Sequence, residues 1–156
     1  GRIVPWGRRV DGARLAVVQQ DAQQWLDAAE PGSVDVLCVD LYDHDAASPV
    51  LDDEDFYRGC RDLLAPDGVM TVNLFGRCAS FERSARHIAA AFGAGNVMAR
   101  KPTREGNAIV LAGRPLGWPD AETLEARAAL VEERLGLPAR KWLRIVRPLL
   151  LKRGAD

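Results

Sequence analysis

Residues 34–51 read VDVLCVDLYDHDAASPVL. Val34 to Val39 is nearly all apolar and rich in valine, which fits a strand covered by helices on both faces of a sheet. The apolar run stops abruptly at Asp40, and Asp43, Asp45 and Asp52 follow within a turn-like segment. In sheets whose strands alternate with helices, ligands bind beyond the carboxyl ends of the strands. Asp40, like Asp21 at the end of the preceding apolar run, therefore stands where chemistry is expected.

Working outward, Leu15–Val18 is a short apolar run ending in QQD and reads as a strand. Asp21 is placed to cap a helix whose Trp25, Leu26 and Ala29 recur at helical spacing, and EPGS ends it. On the other side, Asp52 begins a helix with acids in its first turn, where the macrodipole favours them. Phe56, Cys60, Leu63 and Leu64 give that helix one apolar face. APDG stops it, and Val69–Phe75 reads as a strand. A helix from about Ser80 carries Phe81, Ala85, Ile88 and Phe92 in register. Val97–Arg100 and Ala108–Ala112 then flank a Glu-Gly-Asn turn, the pattern of a hairpin.

Two helices follow. One carries Leu124, Ala128, Val131 and Leu135 on one side. The second, from Pro138, carries Trp142, Ile145, Val146 and Leu149, with Pro148 expected to kink or end it. Alternating strands and helices imply an α/β fold with a mostly parallel sheet, right-handed crossovers and a C-terminal antiparallel hairpin. The 156 residues suit one domain, 1–156, of which 119–156 form a helical C-terminal extension.

Apolar residues make up 47% and charged residues 28%, an ordinary globular balance. No apolar run approaches the ~20 residues that span a bilayer, so no membrane partner is expected. The three cysteines, Cys38, Cys60 and Cys78, have no close spacing and read as buried free thiols, which fits a cytoplasmic protein. His44 and His87 have no cysteine at a ligand spacing, so no metal is expected. The net charge of −1 conceals an asymmetry. Between Leu15 and Tyr57 there are eleven Asp or Glu and no Lys or Arg, whereas Arg140, Lys141, Arg144, Arg147, Lys152 and Arg153 crowd the end. The basic residues surround an apolar stripe, as on a helix docked to a sheet, so no nucleic-acid partner is expected.

VVQQDAQQWL, VDVLCVDLYD and FYRGCRDLLAPDGVMTVNLFG together resemble the polyamine aminopropyltransferases, the spermidine synthase family. The order strand–Asp, strand–Asp-x-x-Asp, helix, Leu-x-Pro-x-Gly, strand matches over about Leu15 to Gly76. The resemblance implies a Rossmann-like, class I methyltransferase-type fold. It places Asp21 and Ala22 at the family's adenine contact. It places Asp40 at the aspartate that deprotonates the attacking amine, and Asp43 at the one that holds the polyamine. Leu41 and Tyr42 stand where the family has serines, and His44 where it has proline; with Asp40, Leu41 and Tyr42 fall beside the nucleoside. Decarboxylated S-adenosylmethionine, or S-adenosylmethionine itself, is the implied donor, a small polyamine the implied acceptor, and a homodimer the implied assembly.

The family's glycine-rich first strand has no counterpart in GRIVPWGRRVDG. In the family's sheet two strands lie between the one ending at Asp21 and the one ending at Asp40. Either the first strand re-pairs directly with the strand ending at Asp40, or the chain is part of a longer protein; the second is the expectation. Three functions stay open: aminopropyl transfer, methyl transfer on the same fold, and a non-catalytic dimerisation or scaffolding module. Asp21, Asp40 and Asp43 each also have a purely structural reading as caps or turn residues. Asp45, Asp53, Glu54 and Asp55 read as a solvated helix start.

Overall fold

A computed structural model describes residues 17–41, 53–75, 79–100, 106–115, 119–144 and 146–148. Asp21 caps α1 (Ala22–Ala28), accepting from the Gln24 N–H at 3.1 Å, and the helix buries Leu26. Gly32, at φ 72°, turns the chain into β1 (Val34–Val39). The next helix, α2 (Glu54–Leu63), is capped by Asp53 rather than Asp52, which lies outside the described residues. Glu54 and Asp55 occupy its first turn and Arg61 its last, so charge follows the macrodipole at both ends.

β2 (Leu64–Phe75) begins directly after α2. The APDG segment is therefore not a connection between helix and strand but an excursion within the strand. Val34 pairs with Leu64 and Val36 with Val69, so two residues of β1 span five of β2. Gly68 makes that possible: a Cβ there would meet the Val34 carbonyl oxygen at 2.8 Å. Next come α3 (Ala79–Phe92), a 3₁₀ turn (Ala94–Asn96), β3 (Val97–Arg100) and β4 (Asn107–Gly113). β3 and β4 form the expected antiparallel hairpin.

α4 (Ala121–Leu135) is capped by Asp120 and closed by Gly136 at φ 67°. α5 (Ala139–Leu143) is tied back to it by the Arg140 Nε–H, which donates to Glu132 at 2.6 Å. The second C-terminal helix is shorter than the periodicity implied. Ile145 and Leu149 lie outside the described residues, and β5 (Val146–Pro148) pairs antiparallel with β3, so Val146 belongs to a strand. Backbone pairing at a free sheet edge has overridden the helical spacing. Pro148, which lacks an N–H, is tolerated there.

The five strands lie in the order β1-β2-β4-β3-β5. β1–β2 is parallel and the other three pairings are antiparallel, so the mostly parallel sheet expected from the sequence is a mixed one among the described residues. The expected strand at Leu15–Val18 accounts for part of the difference. Leu15 lies outside the described residues, and Val17 and Val18 are not in a strand and are exposed by 79% and 64%. They do not re-pair with β1, whose outer edge has no partner among the described residues.

The core sits where α2 and α3 pack on each other and on the sheet. Met70, Val72, Val110, Ile88, Tyr57 and Cys60 are fully buried. Burial alternates along β2 and β4, so the sheet is packed mainly on one face rather than on both. β1 follows suit: Val36 is 61% exposed, and Cys38, expected as a buried thiol, is exposed because its strand is an edge. Cys78 lies outside the described residues. No helix among the described residues is long and apolar enough to cross a membrane.

Candidate active site

The carboxyl end of β1 opens onto a cavity of about 340 Å³ between α1, β1 and α2. Trp25 and Leu26 of α1, Leu37 and Val39 of β1, and Phe56 and Cys60 of α2 give it apolar walls. Gln20, Ala22, Asp40 and Leu41 complete the lining. The two helices come close because α2 presents Gly59 to α1, where a Cβ would lie 2.7 Å from the Leu26 side chain. Trp25, read from the sequence as part of an apolar helix face, is 39% exposed and lines this cavity, while Leu26 beside it is buried.

The aspartates divide. Asp21 spends its carboxylate on the N-cap of α1, and its neighbours Gln20 and Ala22 face the cavity instead. Asp40 lies just past β1, exposed to solvent, and its Oδ1 accepts from the Asn73 Nδ2–H at 3.1 Å. That contact follows from the sheet. Val39 is opposite Val72 in the parallel β1–β2 register, so the next residue of each strand, Asp40 and Asn73, is brought side by side. The sequence reading leaves Asn73 unmarked; its signal is a single amide inside the apolar run VMTVNLF. Ala22, Asp40 and Leu41 are thus gathered at one cavity. Tyr42 and Asp43 lie outside the described residues.

Cys60 lines the same cavity, but burial pushes its thiol up to about 12. At neutral pH it is a small apolar wall group and not a nucleophile. Phe56 stands edge-on to Tyr57, ring centres 5.5 Å apart and planes at 70°, which fixes the ring that faces the cavity.

An apolar slot with a carboxylate at its mouth thus lies at the end of a strand in an α/β sheet. Comparison with known proteins gives the fold class, a Rossmann-like domain of the class I methyltransferase type. No family model matches the chain. The polyamine aminopropyltransferases of Neisseria meningitidis serogroups A and B are each 24% identical over 102 residues, 65% of this chain. A spermidine synthase solved with the transition-state analogue AdoDATO superposes with a TM-score of 0.59 at 21% identity, covering 74% of this chain and 42% of that one. The spermidine synthase of Thermotoga maritima gives 0.55 at 20% identity, covering 74% and 41%. The chain is similar to the polyamine aminopropyltransferases in sequence and to spermidine synthases in fold. The match spans 38% of the length of the curated relatives.

Proposed function

We propose that this chain carries the amine-side part of an aminopropyl-transfer site, with decarboxylated S-adenosylmethionine as donor and a small polyamine as acceptor. The observation that carries the reading is Asp40: a carboxylate held by Asn73 at the mouth of an apolar cavity, at a strand's carboxyl end. The cavity fits a flat nucleoside group. Its volume of about 340 Å³ falls in the range of small-molecule sites, and Trp25 and Phe56 supply faces for an aromatic base.

In the reaction the amine nitrogen bonds to the carbon beside the sulfonium, that carbon–sulfur bond breaks, and sulfur leaves as a neutral thioether. An alkyl ammonium has a pKa of about 10.4, so the acceptor arrives protonated and must lose a proton to attack. Asp40 is the group placed to take it, a role typically worth ~10²- to 10⁴-fold in rate. Asn73 donates to one carboxylate oxygen and leaves the other for the amine. Asp43, by the resemblance, holds the far ammonium. The acids from Asp21 to Asp40, with no base among them, give this end a field that draws a polycation.

Isothermal titration with methylthioadenosine and with putrescine tests the reading. Binding of both is expected, with Asp40→Asn weakening putrescine more than methylthioadenosine. No heat from either ligand sinks it for this chain. Binding of S-adenosylmethionine in preference to its decarboxylated form favours methyl transfer on the same fold. A non-catalytic module is the reading to adopt if neither nucleoside binds. The unpartnered edge of β1 among the described residues is the observation on its side.

A further inference from the structure

The cavity at the carboxyl end of β1 is unevenly charged. Among its described lining residues, Asp40 is the only Asp, Glu, Lys, Arg or His. The thiol of Cys60, pushed up to about 12 by burial, is neutral there. The elements that build the walls bring no base to them. Residues 17–41, which include α1 and β1, contain no Lys or Arg, and α2 turns both of its arginines elsewhere. Arg58 pairs with Glu54 and Asp55 on its own helix, while Arg61 binds Asp62 and the Ala91 carbonyl. A cation reaching Asp40 therefore meets one carboxylate and no opposing base, beside walls of low polarity.

We propose, resting on the functional reading above, that Asp40 makes this cavity selective for the charge on a nucleoside's sulfur, holding the sulfonium donor and releasing the thioether product. Its position follows from the reaction. A base that takes a proton from the attacking amine is separated from the sulfur only by that nitrogen and the carbon being transferred. Before transfer, carboxylate and sulfonium attract each other. The acceptor's ammonium then gives one proton to Asp40, its freed nitrogen pair bonds the carbon, and the carbon–sulfur pair stays with sulfur. The charge on sulfur and the charge on Asp40 disappear together, leaving a carboxylic acid beside a neutral thioether. The attraction that held the donor is gone. Asp40, exposed to solvent, returns its proton to water before the next donor binds. The apolar walls grip donor and product alike, so the difference in affinity lies in the charge.

Isothermal titration of the whole chain with three nucleosides tests this. Methylthioadenosine is compared with its S-methylated sulfonium, which adds one methyl group and one positive charge. The carbon isostere, with isopropyl in place of dimethylsulfonium, adds the bulk without the charge. At low salt the sulfonium binds about tenfold tighter than either neutral nucleoside, as expected of a charge pair partly open to water. Asp40→Asn brings all three within about twofold of one another. In about 1 M salt, where the screening length is ~3 Å, the preference of the unsubstituted chain also narrows. That arm needs no variant, so it stands even if Asp40→Asn misfolds. Equal affinity for sulfonium and isostere overturns the proposal while leaving the nucleoside site standing. A preference that survives Asp40→Asn, or that ignores salt, overturns it too, because the discriminating group then lies elsewhere. If none of the three nucleosides binds, the functional reading itself fails and the proposal falls with it.

Discussion

Two parts of one sheet behave differently. Around β2 and β4, alternate side chains vanish from solvent: Met70, Val72 and Val110 are each at 0% exposure. One strand away, β1 has a sequence just as apolar, yet Val36 is 61% exposed and only Val39 is buried. The difference is not in composition but in neighbours. β2 and β4 have a strand on each side and two helices packed nearby, while β1 has β2 on one side and no strand partner among the described residues on the other. The candidate site lies on the less completed part. An apolar strand is evidence of what a sequence is built to be buried by, not of what covers it.

That contrast can be broken most sharply through its two thiols. Cys38 on β1 is expected to react with a small alkylating reagent about 10³-fold or more faster than Cys60, which needs near-global opening to be reached. Residue-resolved mass spectrometry of partially labelled chain reads the ratio, and similar rates would mean the core side is as loose as the edge. Next in size, Ile88→Ala, at a fully buried site, should cost about 2–5 kcal/mol in urea unfolding. Val36→Thr on the exposed edge should stay within about 0.5 kcal/mol.

Gly68→Ala lies between the two regions and should cost about 1–3 kcal/mol, because the added carbon meets a backbone carbonyl of β1 that cannot rotate away. The smallest expected effect is on α4. Hydrogen bonds from Thr123, foremost its backbone N–H, hold the Asp120 carboxyl below its ordinary range. Its contribution is complete above the unfolded carboxylate pKa of about 3.9 and fades as pH falls through the lower folded value. Asp120→Asn keeps a cap but should remove that acid-side change in helical circular dichroism, whereas an unchanged pH profile would assign it to other carboxyls.

Most of the fold could be read from periodicity where local and tertiary forces agree. The spacing of Phe56, Cys60 and Leu63, the register of Phe81, Ala85 and Ile88, and the two apolar runs of β3 and β4 reappear as buried or half-buried helix faces and paired strands. Legibility failed where pairing outvoted pattern. Val146 has helical spacing from Trp142 but pairs with Arg100, and the turn chemistry of APDG is absorbed inside a strand. Asp40 could be found because a carboxylate ending an apolar run is conspicuous. Asn73 could not: its partner lies 33 residues away in sequence, and only the parallel register brings the two together. Asp21, read both as a nucleoside contact and as a cap, caps α1.

The looped-out APDG segment has a consequence for how this chain tolerates change. It lies at the amino end of β2, whereas Asp40 and Asn73 meet at the carboxyl end, with four aligned pairs from Val36–Val69 to Val39–Val72 between them. Residues added or removed within that loop shift nothing beyond it, as long as Gly68 keeps its close passage. One residue inserted between Met70 and Asn73 would move the amide off the carboxylate and turn alternate side chains to the wrong face. The foot of this sheet is a place to graft a tag or a probe. Its upper rungs are the ruler by which the site is measured.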